Sequence, residues 1–267
     1  MIPTSNNFTL LLVVGIAAML MLFISILLIF IFTQRKKLQY QNTLQALRDE
    51  QKDQLIEAAV RSEEIERHRI AEELHDDVGT YLSSAKLHFH SVKIEEYDKS
   101  SKFLHEKGKE LLDEAIQKVR GISHSLHSSI LQEFGLNEAI EHFAGTISHE
   151  SVIQMTTDLD NSYPQQATQN DISIYRMLQE FINNIVKHAS ANKVHIKSVY
   201  LIKSLTLTIS HNGHGLTQEH FEELQFRKQG LGLKNIQNRV ILLKGNLKFY
   251  FNNDGYYIDI YVPITDG

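Results

Sequence analysis

Residues able to do chemistry gather at four places in the chain. The first is ERHRIAEELHDDVG (Glu66 to Gly79), where His75 is followed directly by Asp76 and Asp77. On a helix turning about 100° per residue, His75 points roughly 90° away from the apolar stripe, so its ring faces outward. Its neighbours one turn away, Ala71 and Gly79, are small and leave room for a second molecule to reach the ring. A glycine inside a helix costs about 1 kcal/mol relative to alanine, so Gly79 asks for a reason. The second place is QEFINNIVKHA, where Glu180, Asn184 and Lys187 share one helical face and His188 follows. A carboxylate, an amide oxygen and an ammonium group together suit Mg²⁺ and phosphate. The third is HNGHG (His211 to Gly215), directly after a strand-like run. The fourth is QGLGLKN (Gln229 to Asn235), whose glycines open a helix with amides free to hold phosphate. Taken singly, each is more simply a solvated surface; their order along the chain is the stronger signal. His88 and His90, two apart, face different sides of a helix and make no metal pair.

Two kinds of element must position these groups. From Leu38 to about Leu126 the sequence predicts helix with one break at EEYDKSS. Ile70, Leu74, Val78, Tyr81, Ala85, Phe89 and Val92 recur at steps of three and four. Leu104, Gly108, Leu111, Ala115, Val119, Ile122 and Leu126 do the same after the break. Two such stripes predict an antiparallel hairpin that cannot bury both alone, so a second copy completing a four-helix bundle is expected. Beyond residue 150 the character changes. VIQMTTDL, KVHIKSVYLI, SLTLTIS, NLKFYFN and YYIDIYVPI read as strands, with helices from about Asp171 to His188 and from Leu233 to Leu243. This order predicts an α/β sandwich with helices on one face of the sheet, carrying the second to fourth clusters.

Composition bounds the class. The chain has 267 residues, 42% hydrophobic, with a formal net charge of -5, which argues against direct nucleic-acid binding. The absence of cysteine excludes disulfides, thiolate zinc sites and thiol catalysis. Only Pro3, Pro164 and Pro263 could interrupt a helix, which leaves a long stretch free to be helical. No charged residue precedes Arg35, and residues 8–32 are apolar apart from Thr9 and Ser25. At about 1.5 Å per residue they cross a hydrocarbon core of roughly 30 Å. A cleaved signal would have a basic start and a shorter apolar run, so a permanent single-pass anchor is expected. Arg35, Lys36 and Lys37 follow at once, and positive charge favours the cytoplasmic side, next to membrane lipid, for the remainder of the chain. The seven residues MIPTSNN left outside are too few for a sensor domain.

On these motifs the sequence resembles the sensor histidine kinases of two-component systems. Its pattern is similar to that of the subgroup whose phosphoacceptor histidine is followed by aspartate. RIAEELHDDVG matches the phosphoacceptor segment, ISHSLHSSILQEFGLNEAI the second helix and exit, and QEFINNIVKHA the N box of the GHKL (Bergerat) ATP-binding fold. HNGHG and GLGLKNIQNR match its two glycine boxes. The resemblance implies a transmembrane helix at 8–32, a helical linker at 33–64 and a dimerisation and phosphotransfer hairpin at 65–130. An ATP-binding catalytic domain would occupy 135–267. It implies a homodimer that phosphorylates His75 from ATP and hands the group to a response regulator, typically one with a LuxR-type DNA-binding domain.

In that scheme His75, Asp76 and Glu180 are catalytic. Asn184, Lys187, His188, His211, Gly213, Gly215, Gly230 and Gly232 hold ATP, and Asn184 holds Mg²⁺. Asp76 would orient the imidazole and take its proton, which needs a particular rotamer because adjacent helical side chains do not face each other. Two positions depart from the pattern. His211 stands where the family places an aspartate that reads adenine, which predicts weakened or altered base recognition. Thr80 stands where a related phosphatase motif has glutamine, which weakens the expectation of phosphatase activity. A nucleotide-binding signalling scaffold that no longer transfers phosphate, or an ATPase of the same fold, are the alternatives.

Overall fold

A computed structural model describes residues 4–92, 99–126, 129–164, 169–224 and 231–264. The chain divides into two units, Met1–Leu55 and Ile56–Gly267. The first unit is helical, the beginning of α1 (Thr4–Glu73), and its residues from Leu10 to Phe32 are exposed. Among the described residues α1 is the one helix long and apolar enough to cross a membrane.

The second unit starts on the last turns of α1. A π-helical turn, Leu74–Val78, interrupts the α-helical ladder and leads into α2 (Gly79–Ser91). The amide of Gly79 donates to the Leu74 carbonyl five residues back, the bond that defines this wider turn. α3 (Lys99–Leu126) returns alongside. Of the expected break EEYDKSS, Glu95 to Asp98 lie outside the described residues, and Lys99 to Ser101 are already helical. Phe89 stacks on His105 with ring centroids 5.6 Å apart. A β-carbon at Gly108 would meet Phe89 at 2.9 Å, so this glycine lets the two helices close. Lys86 pairs with Asp113 at 2.5 Å, and Ser123 Oγ donates to the Ala71 carbonyl at 3.0 Å. The apolar stripes are only partly covered: Tyr81, Leu104, Leu111 and Ile122 remain exposed.

The remainder forms the main core. α4 (Ser129–Glu150) bends at Gly135, whose φ of 84° is a conformation that favours glycine. Five strands follow: β1 (Gln154–Asp158), β2 (Lys193–Leu201), β3 (Ser204–His211), β4 (Asn246–Asn252) and β5 (Gly255–Pro263). They lie in the order β1-β2-β3-β5-β4, with β1 parallel to β2 and every other pair antiparallel. Alternate residues, among them Ile196, Leu207, Ile209, Phe249 and Ile260, are buried on one face of the sheet. They join Ile140 of α4, Ile174, Leu178 and Ile182 of α5 (Gln169–His188), and Ile236 of α7 (Leu231–Leu242) in one hydrophobic core. A short helix, α6 (Gln218–Leu224), which the sequence pattern did not announce, buries Phe221 against Phe249.

Candidate active site

α5 is the element on which the site is built. Its residues from Ser173 to Gln179 are buried on every side, so the helix is fixed within the core. Its last turns emerge with Glu180 and Asn184 half-buried one turn apart. Asn184 Nδ2 donates to Glu180 Oε1 at 3.4 Å, which turns the amide oxygen of Asn184 away from that contact. Opposite lies the start of α7. A β-carbon at Gly232 would overlap Glu180 Oε1, so a side chain here would push the carboxylate out of its present position.

The HNGHG turn is tied to the end of α5. The amide of His214 donates to the Ala189 carbonyl at 2.7 Å. Asn212 Oδ1 accepts from the amides of Asn192 and Lys193 at 3.1 and 3.0 Å. Side chains added at Gly213 would overlap the Ala189 carbonyl, and at Gly215 the Tyr256 ring, so both glycines are there for close approach. His211, the last residue of β3, is 4% exposed and stacks on Tyr256 at 5.8 Å with planes 16° apart. Its Nδ1 is buried with no hydrogen-bond partner, and burial pushes its pKa below the usual imidazole value.

These elements enclose a cavity of about 620 Å³, within the ordinary range for a small-molecule site. Its wall includes Glu180, Asn184, His188, His211, Gly215 and Gly232 together with Ile185, Leu216, Leu224, Leu233 and Ile258. Six residues from three separate motifs thus meet around one space. Lys187 is exposed and outside that wall; Gly213 acts from behind it, through the turn; Gly230 lies outside the described residues. His75, Asp76 and Asp77 are exposed, on the π-helical turn and away from the cavity wall.

The donor set fits Mg²⁺ of the kind held chiefly by phosphate and water. Glu180 and the Asn184 amide offer hard oxygen, and no group of three or more His, Cys, Asp or Glu among the described residues forms an all-protein cage.

Two charged residues that the sequence reading gave no role stand beside this site, Arg176 outside the motifs and Arg239 at the end of GLGLKNIQNR. Arg176 of α5, 6% exposed, pairs with Glu64 of α1 and donates to the carbonyls of Ser125 and Leu126 and to Gln179. Arg239 of α7, 3% exposed, pairs with Glu63 at 3.1 Å, and its Nη1 is buried without a partner. A second cavity of about 700 Å³ lies between these residues, α3 and α4, and shares Glu180 with the first.

Comparison with known proteins joins both parts. Residues 66–131 match the family described as histidine kinase, and residues 169–266 match the histidine kinase-, DNA gyrase B- and HSP90-like ATPases. The chain belongs to the histidine kinases. It is 27% identical over 195 residues to the sensor histidine kinase MctS of Rhizobium johnstonii, covering 72% of this chain and 42% of the relative. It is 27% identical over 213 residues to the signal transduction histidine-protein kinase/phosphatase DegS of Brevibacillus brevis, covering 77% and 53%. The sensor histidine kinase NarS of Mycobacterium tuberculosis is 24% identical over 223 residues, covering 83% and 49%. The matched part therefore amounts to about half the length of these relatives.

Proposed function

We propose that the chain is a membrane-anchored sensor histidine kinase. It moves the γ-phosphoryl group of ATP to His75 and from there to an aspartate of a response regulator, one expected to carry a LuxR-type DNA-binding domain. The cavity that gathers Glu180, Asn184, His188, His211, Gly215 and Gly232 carries the reading. In it, residues 8–32 span the membrane once, 33–64 link, 65–130 dimerise and accept phosphate, and 135–267 bind ATP on the cytoplasmic side.

A His75 ring nitrogen forms a bond to the γ-phosphorus as the bond to the β,γ-bridging oxygen breaks, and ADP leaves. Asp76 orients the ring and receives its proton. The Asn184 amide oxygen would hold Mg²⁺, which when bound would neutralise phosphate charge. Glu180 would position water beside it, His188 would hold the ribose or phosphates, and the amides at the start of α7 would close over phosphate. Reacting atoms must come within about 3–3.5 Å, and His75 is outside the cavity wall. Transfer therefore needs a rearrangement of the ATP-binding part, or the ring of a second copy.

One observation favours the alternative of a non-transferring scaffold: the buried, unpartnered imidazole of His211 where the resemblance calls for a carboxylate. Incubating the full-length chain in lipid nanodiscs with γ-labelled ATP separates the two. An acid-labile, alkali-stable label that His75→Gln abolishes is the expected result; no label in the wild type, with or without regulator, favours the scaffold.

A further inference from the structure

Charge ties the ATP-binding part to α1. Glu63 and Glu64 follow one another on that helix, so their side chains leave it about 100° apart. Glu64 faces Arg176 of α5, whose Nε and Nη2 donate to its two carboxylate oxygens at 3.1 and 2.5 Å. Glu63 faces Arg239 of α7 at 3.1 Å and Arg67 of its own helix at 2.9 Å. These are the two helices that bound the nucleotide cavity. Glu180 lies one turn beyond Arg176, and Gly232 opens the helix that carries Arg239. Both arginines are buried, and Arg239 Nη1 is left without a partner. A buried ion pair contributes little net stability but demands its geometry, and fixing a register is its best-attested use.

The register matters because of where His75 stands. Eleven residues separate it from Glu64, a net turn of about 20° and a rise of about 16 Å. The ATP-binding part is therefore held on the helix face that bears His75, but three turns short of it. A domain paired through Arg176 and Arg239 cannot slide along α1 to that ring without leaving both carboxylates. Turning α1 by one residue does the same from the other side. It withdraws both carboxylates together and leaves two guanidinium groups desolvated, a cost relieved when the ATP-binding part lifts away into water. We infer that Glu63 and Glu64 form a latch that holds the ATP-binding part in a non-transferring position until α1 turns or slides. This rests on the kinase reading of the chain.

The test is the initial rate at which γ-labelled ATP labels His75 in the full-length chain in nanodiscs. Glu63→Gln with Glu64→Gln, which keeps size and removes both charges, is expected to raise that rate about tenfold or more. Damage to the fold would lower it. Glu57→Gln, at an exposed position of the same helix, should leave it within about twofold. Locking is the converse measurement and keeps the pairs intact. The chain has no cysteine, and Arg120 of α3 and His142 of α4 line one cavity beside the latch. Cysteines at both, joined by a short bis-thiosulfonate, should lower the rate about tenfold, and dithiothreitol should restore it. A locked chain that labels His75 at the unlocked rate overturns the latch, whatever the glutamine variant does. So does a folded glutamine variant whose rate is unchanged or lower. Either result leaves the kinase reading standing, whereas no label in the wild type or any variant overturns both.

Discussion

His211 ends a strand whose alternate residues Leu205, Leu207 and Ile209 are buried, so the alternation itself carries its ring inward. That much is legible in SLTLTISH. The missing partner of Nδ1 is not, because it depends on Tyr256 and on the turn above it. Burial lowers the pKa of His211 from 6.5, so the unfolded chain takes up this proton more readily than the folded one. Stability linked to the group is complete above about pH 6.5 and drains as pH falls below it, at about 1.4 kcal/mol for each unit separating the two pKa values. Thermal melts of the full chain between pH 7.5 and 5 should therefore fall more steeply for the wild type than for His211→Asn; parallel profiles would remove this linkage. His75 presents the opposite case. Its exposure follows from helical spacing, but the π-helical turn that carries it does not, since apolar periodicity cannot report one widened turn. Nor does steric need explain Gly79: a β-carbon there would sit 3.5 Å from the Leu74 carbonyl, an ordinary contact.

The helices show where sequence patterning stops being informative. Arg176 lies in ISIYRMLQEFI, and buried neighbours on every side leave it no solvated face. The sequence signal pointed the other way: Ser173, Arg176, Gln179, Glu180 and Asn183 share one polar face of an amphipathic helix, which reads as solvated, and it is packing by other elements that buries the arginine. Its partner could not be read, because Glu64 is 112 residues away in a stretch whose charges look uniformly solvated. The pair joins α1 to α5, while the Ser125 and Leu126 carbonyls add the end of α3 to the same guanidinium. Removing one partner of a buried pair leaves an uncompensated charge and costs about 3–5 kcal/mol. Glu64→Ala should accordingly lower the melting temperature of the second unit by roughly 6–20 °C, taking the usual conversion for a domain of this size. Glu66→Ala is the control, because its pairing with Arg69 is exposed and a surface pair contributes little. Equal shifts for the two variants would mean that the Arg176 contact is not a buried pair in solution.

For the molecule as a whole, the unfinished surface is the hairpin of α2 and α3. The sheet and its helices close one core, and the order of strands and helices in the sequence already implied that closure. The hairpin does not close: Tyr81 is 76% exposed, Leu104 66%, Leu111 56% and Ile122 50%. Leu104, Leu111 and Ile122 lie within about 20° of one another around α3, a seam too narrow and too apolar to be left to water. A second copy related by a two-fold axis would bury each stripe against itself, since such an interface is self-complementary. The lack of cysteine makes this directly testable. Single cysteines at Leu104, Leu111 or Ile122 of the full chain in membrane vesicles should give disulfide-linked dimers on mild oxidation. Cysteines at Glu110 or Gln117, on other faces of α3, should not. Cross-linking that ignores this periodicity, or its absence at all three seam positions, would count against the homodimer and leave the exposed stripe to a different partner.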